Sequence, residues 1–95
     1  MYGVIRHYHF DAKNTAEIDR LVRDQFLPLL RKTKGFVSYH WIDTGKGEGA
    51  SLSVFQDKAG ADDSVRQAAD FVAKHLAKLV TQKPEVIEGP LVAHS

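Results

Sequence analysis

The chain contains no cysteine. Disulfides, thiolate chemistry, iron–sulfur clusters and zinc-finger ligation are therefore excluded, and nothing points to an oxidising compartment. An excess of charge of either sign is also missing. Lys and Arg total 13 against 12 Asp and Glu, a formal net charge of +1. That excludes the broad basic footprint of a dedicated nucleic-acid binder. No apolar run approaches membrane-spanning length, and Met1 to Phe10 carry no apolar leader core. A cytoplasmic protein with neither nucleic acid nor membrane as partner is expected. What remains is 95 residues, 43% hydrophobic and 26% charged, the composition of one soluble domain spanning 1–95.

Hydrophobic periodicity divides the chain into six elements. Tyr2 to Phe10 is rich in β-branched and aromatic residues and reads as a strand. Polar and apolar residues mix on both its alternating sets, so cover on both sides is expected. Asn14 and Glu17 have the spacing of a capping box. Ile18, Leu21, Val22, Phe26, Leu29 and Leu30 then recur at helical intervals, predicting a helix over 14–32. Pro28 falls inside it and predicts a kink near Asp24–Pro28. Lys34-Gly35 closes that helix, and Phe36 to Thr44 reads as a second strand. The Gly45-Lys-Gly-Glu-Gly49 segment resembles a phosphate loop in composition only. It joins two strands and opens no helix, so it reads as a hairpin loop before a third strand, 50–56.

Asp57 to Gly60 reads as a turn, with Asp62, Asp63 and Ser64 as caps of a second helix. Val65, Ala68, Ala69, Val72, Leu76, Leu79 and Val80 form its apolar stripe, and Lys83-Pro84 ends it. Val86 to Ala93 is the last strand. Gly89-Pro90 interrupts it, which predicts an edge position or a bulge. The order β-α-β-β-α-β with right-handed crossovers gives an α+β, ferredoxin-like domain. Its four-stranded antiparallel sheet carries both helices on one face. The other face then needs cover that so short a chain does not supply.

With this topology, Gly35-Phe36 opening strand two and Val54-Phe-Gln-Asp-Lys-Ala-Gly-Ala61 leading into helix two, the whole chain resembles the antibiotic biosynthesis monooxygenase-like proteins. The resemblance implies a dimeric α+β barrel, hence a homodimer with its two sheets face to face. It also implies a cofactor-independent monooxygenase, or a related enzyme, acting on a small aromatic or polyketide-like compound. The alternative is a non-catalytic small-molecule-binding or dimerisation module. Members of this superfamily that degrade haem use a strand-one Asn, a strand-three Trp and a helix-two His. These correspond here to Arg6, Phe55 and Ser64. The haem ligand is thus lacking, and no cofactor is implied.

Cofactor-free oxygenation requires a base, a positive group for the developing anion and a dry apolar pocket. Arg6, Tyr8, His40 and Phe55 are residues of the right types, and Ser64 completes the pocket candidates. The resemblance places Arg6 and Tyr8 towards the helices, where an arginine needs an anionic partner. The competing expectation for Arg6 is an ordinary ion pair with Glu17 or Asp70, or an escape to the sheet edge. His40 is a near-neutral base by type, but a lone strand histidine is more often packed or solvated. Tyr39 and Trp41, opposite it, read as packing residues first and ligand-stacking residues second. Ser51, Ser53 and Phe55 share a face and would make a partly polar pocket floor.

His7 and His9 also point the same way. His-x-His on a strand can grip a metal from one side, with His94, Asp43 or Glu88 as third-ligand candidates. The spacing alone assigns no metal. The other reading places both at a subunit-facing surface with Ile5, where acid would charge them together and weaken a dimer below about pH 6.

Overall fold

A computed structural model describes residues Met1 to His94. Strand β1 spans Tyr2–His9. A 3-10 turn, Ala12–Asn14, leads into helix α1, Thr15–Leu21. A π-helical segment, Val22–Phe26, joins α1 to α2, Leu27–Arg31. Strands β2, Phe36–Asp43, and β3, Glu48–Phe55, form a hairpin. Helix α3, Lys58–Phe71, continues into a second π-helical segment, Val72–Leu76, and β4, Glu85–Pro90, follows. The sheet order is β2-β3-β1-β4, antiparallel throughout. This is the expected ferredoxin-like α+β arrangement, with β4 on an edge.

The core lies between one sheet face and the helices. Val4, Tyr8 and Phe10, with Phe55 of β3, pack against Ile18, Leu21, Val22, Phe26 and Leu30, and against Ala68, Phe71 and Leu76. The opposite face is open in this chain. Ile5 and Leu52 are partly exposed there, Ile42 is 64% exposed and Ile87 70%. Within the single chain β1 is covered on one side only. Val4, Arg6 and Tyr8 are buried, whereas Ile5 on the other face is exposed.

Several boundaries move for local reasons. Asn14 makes no side-chain cap; instead Asp11 accepts a hydrogen bond from the Lys13 N–H and caps the 3-10 turn. The expected kink is a π-helical segment, in which the Leu27 N–H donates to the Val22 carbonyl. Pro28 follows one residue later. Its ring would crowd the Asp24 carbonyl in a regular helix, and the wider register relieves this. The 57–60 stretch is not a turn but the start of α3. The Asp57 carboxylate accepts from the Gly60 N–H at 3.0 Å, so Asp57, not Asp62, Asp63 or Ser64, is the cap. A side chain at Gly60 would stand 2.8 Å from the Lys34 carbonyl oxygen, so close packing demands this glycine. The second helical arm ends at Leu76, short of Lys83-Pro84, because the chain turns there to bridge Val80 to Phe10. Strand β3 begins at Glu48, two residues early, and β4 stops at Pro90, short of Ala93.

Candidate functional site

Strand β1 places Arg6 and Tyr8 on the covered face. Arg6 is only 6% exposed, and its Nε donates to the Tyr8 hydroxyl at 2.8 Å. Its guanidinium also lies over the Tyr8 ring, 5.5 Å from the centroid. The expected ion pairs do not form. Glu17 is held by Arg20 at 2.7 Å and Asp70 by Lys74 at 3.0 Å. Among the described residues no carboxylate lies within ion-pair distance of Arg6. A buried cation without a counter-ion is costly, so such a group is poised for an anion.

Register brings further polar groups to the same face. Arg6 stands opposite Ser51, and Ser51 opposite Trp41. Ser51 and Ser53 are both buried. Tyr39 and Trp41 of β2 lean onto the core, Tyr39 edge-on to Phe26 and Trp41 edge-on to Tyr8. Burial holds the Tyr39 hydroxyl well above the usual phenol range, and the neighbouring Tyr8 pushes the same way. Tyr39 therefore stays protonated and serves as a hydrogen-bonding group, not as a base.

Two spaces share Val22, Tyr39 and Trp41 as walls. An apolar slot between sheet and helices is lined by Tyr8, Val22, Phe26, Tyr39, Trp41 and Phe71, with free space of about 10 Å³. That is room for about one water. Tyr39 and Trp41 also line an outer groove of about 390 Å³ with Asp19, Val22, Arg23 and Asp43, a volume in the range of small-ligand sites. Val22 and Phe26 belong to one π-helical segment and Leu76, also on the slot wall, to the other. Such irregular turns recur at functional sites.

At the groove the Trp41 indole N–H donates to Asp19 at 2.8 Å. Asp43 accepts from the Gly45 N–H at 2.7 Å. Its other carboxyl oxygen is buried without a protein donor. Burial, followed by the contact with Asp19, raises the Asp43 pKa above the ordinary aspartate value. Asp19 and Asp43 thus both line the groove, and Asp43 is the carboxyl held above its ordinary range.

The sequence candidates separate. Arg6 and Tyr8 come together. His40 does not join them: it sits opposite Leu52 on the open face and is exposed. Phe55 is fully buried in the core, edge-on to Phe36, and lines neither slot nor groove. Ser64 is buried and donates to the Ala61 carbonyl within its own helix at 2.7 Å. Unbroken alternation along β2 would put Phe36 on the face of His40, but a bulge between Phe36 and Ser38 shifts the register and Phe36 lies on the core side. Asp19 and Asp43 were missed as neighbours, since only the packing of α1 beside β2 brings them to one groove. His7 and His9 lie on the open face, but beside Glu48 and Glu85, not the expected His94, Asp43 or Glu88.

No known protein family and no curated protein matches the chain by sequence. Solved structures do match its fold. A protein of unknown function from Nitrosomonas europaea aligns over 99% of this chain and 91% of its own, with a TM-score of 0.85 and 18% identity. An antibiotic biosynthesis monooxygenase aligns over 98% and 100%, with a TM-score of 0.77 and 18% identity. A Streptomyces coelicolor monooxygenase in complex with nanaomycin D aligns over 99% and 90%, at 0.77 and 12%. The likeness seen in the sequence is thus borne out as a shared fold. No helix among the described residues is long and apolar enough to cross a membrane.

Proposed function

We propose that this chain binds a small hydroxylated aromatic compound between sheet and helices and oxygenates it without a cofactor. The observation that carries the reading is Arg6: a buried cation lacking a carboxylate and bonded to Tyr8, which lines the aromatic slot. The substrate ring enters from the groove past Trp41 and Tyr39. Its oxygen faces Arg6 and Tyr8, which stabilise the anion formed when a proton leaves. Asp43 at the groove is the proton acceptor, since a carboxyl with a raised pKa is better matched to that task than an ordinary one. The electron-rich anion then reduces dioxygen. For an anthrone, the reacting CH2 becomes a carbonyl holding one oxygen atom, and the other leaves as water. The nanaomycin D bound by the Streptomyces coelicolor monooxygenase supports an aromatic ligand for this fold. A second copy of the chain covers the open sheet face, where Ile5, Ile42, Leu52 and Ile87 lie exposed.

A second reading, a binding module without catalysis, is favoured by the narrowness of the slot, which must widen to take a ring. Oxygen uptake with a panel of anthrones and quinols separates the two. The expected result is uptake with at least one, reduced a hundredfold or more by Arg6→Met in a protein of unchanged circular dichroism. Ligand binding without uptake supports the module. Neither binding nor uptake overturns both.

A further inference from the structure

The open face of the sheet carries a polar cluster that the proposed oxygenation does not use. His7 and His9 lie side by side on β1, their ring centroids 4.3 Å apart. β3 brings Glu48 opposite His9, and β4 brings Glu85 opposite His7. Three strands thus converge on one point. Glu48 Oε1 stands 3.9 Å from His7 Nε2 and 3.7 Å from His9 Nδ1. Glu85 Oε1 stands on the other side of both rings, 3.4 Å from His7 Nδ1 and 3.4 Å from His9 Nε2. Each imidazole therefore lies between two carboxylates, one nearest each ring nitrogen.

We propose that this cluster is a binding site for a divalent first-row transition metal ion, with His7, His9 and Glu48 as ligands and Glu85 as the group that orients the histidines. One donor atom from each of the three ligands lies within 4.8 Å of the other two. A tetrahedral zinc ion has bonds of about 2.0 Å and hence donor–donor edges of about 3.3 Å. Small side-chain rotations close that difference, and the His and Glu side chains are partly exposed and free to make them. Two imidazoles and one carboxylate suit zinc, cobalt or nickel and disfavour magnesium and calcium, which take oxygen ligands. Glu85 plays the part of a carboxylate that accepts from the second ring nitrogen of a metal-bound histidine and fixes its orientation. Three protein ligands leave a fourth position for water. The strand framework fixes the backbone of every participant, so the site is set by sheet register and not by a mobile loop.

Calorimetric titration of the full chain with zinc, after chelator treatment, tests the site. One zinc ion per chain is expected, with a raised melting temperature. His9→Gln and Glu48→Gln should each abolish that binding. Glu85→Gln should weaken it about tenfold or more, as loss of an orienting partner does. His40→Gln, on the same face but outside the cluster, should leave it unchanged. Cobalt bound in place of zinc should show the strong visible absorption of a four-coordinate ion, lost in His9→Gln. Absence of zinc binding by the wild-type chain overturns the proposal and leaves the four residues as a surface charge cluster. Binding that survives in His9→Gln and Glu48→Gln also overturns it. None of these outcomes depends on oxygen uptake.

Discussion

The two faces of the sheet use the same strands for opposite purposes. Along β1, Val4, Arg6 and Tyr8 enter the core, while Ile5, His7 and His9 face outward. Both faces therefore receive a polar pair from neighbouring positions. Inside, the cation of Arg6 meets a phenol and no carboxylate. Outside, the two histidines meet two carboxylates. Strand alternation delivers the side chains, but cross-strand register decides what each one meets. The inner face is thus arranged for an anion and the outer for a cation.

The largest expected effect tests whether stability resides on one face only. Phe55 is fully buried, so Phe55→Ala should cost about 3–5 kcal/mol in urea unfolding. Ile87 is 70% exposed. Ile87→Asp should leave the fold of the single chain within about 0.5 kcal/mol yet shift sedimentation of the proposed dimer towards monomer. A comparable loss of folding stability from both substitutions would break the contrast between the faces.

Legibility followed the same division. The element order, the amphipathic stripes and the sharing of a face by Arg6 and Tyr8, or by Ser51 and Phe55, come from local periodicity and are readable in the chain. What depends on pairing is not. The bulge after Phe36 moves that ring to the core face and no composition signal marks it. Asp57 to Gly60 has the composition of a turn, and only the cap bond and the close approach to Lys34 make it a helix start. Asp19 and Asp43 lie on different elements, so their place in one groove is a tertiary fact. His7 and His9 were visible as a pair, but Glu48 and Glu85 reach them only through the β1–β3 and β1–β4 registers.

A smaller effect is expected where the inner face meets the groove. A Cβ at Gly49 would stand 2.5 Å from the Trp41 ring. Gly49→Ala must therefore push the indole outward, at a cost of about 1–3 kcal/mol. The chain has one tryptophan, so its fluorescence reports the movement directly. A red shift is expected as Trp41 leaves the slot and its bond to Asp19. An unchanged emission maximum would mean that the backbone of β3 yields instead and that the Trp41 wall of the slot is rigid.

The smallest effect concerns Asp43 and has a definite sign. The folded-state pKa of Asp43 is raised above its ordinary value of 3.8, by burial first and by Asp19 second. A raised carboxyl pKa means that the folded state binds the proton more tightly than the unfolded chain does. Its contribution to stability is fully present below the unfolded value and is lost as pH rises through the folded one. The wild-type chain thus carries a penalty at neutral pH that it lacks in acid. Asp43→Asn removes this titrating charge and keeps the shape of the side chain. Urea midpoints at pH 4 and pH 7 should show the variant gaining on the wild type as pH rises. A variant that instead loses ground at pH 7 would show that ionised Asp43 is stabilised in the fold, through the Gly45 N–H, and would remove Asp43 as proton acceptor at the groove.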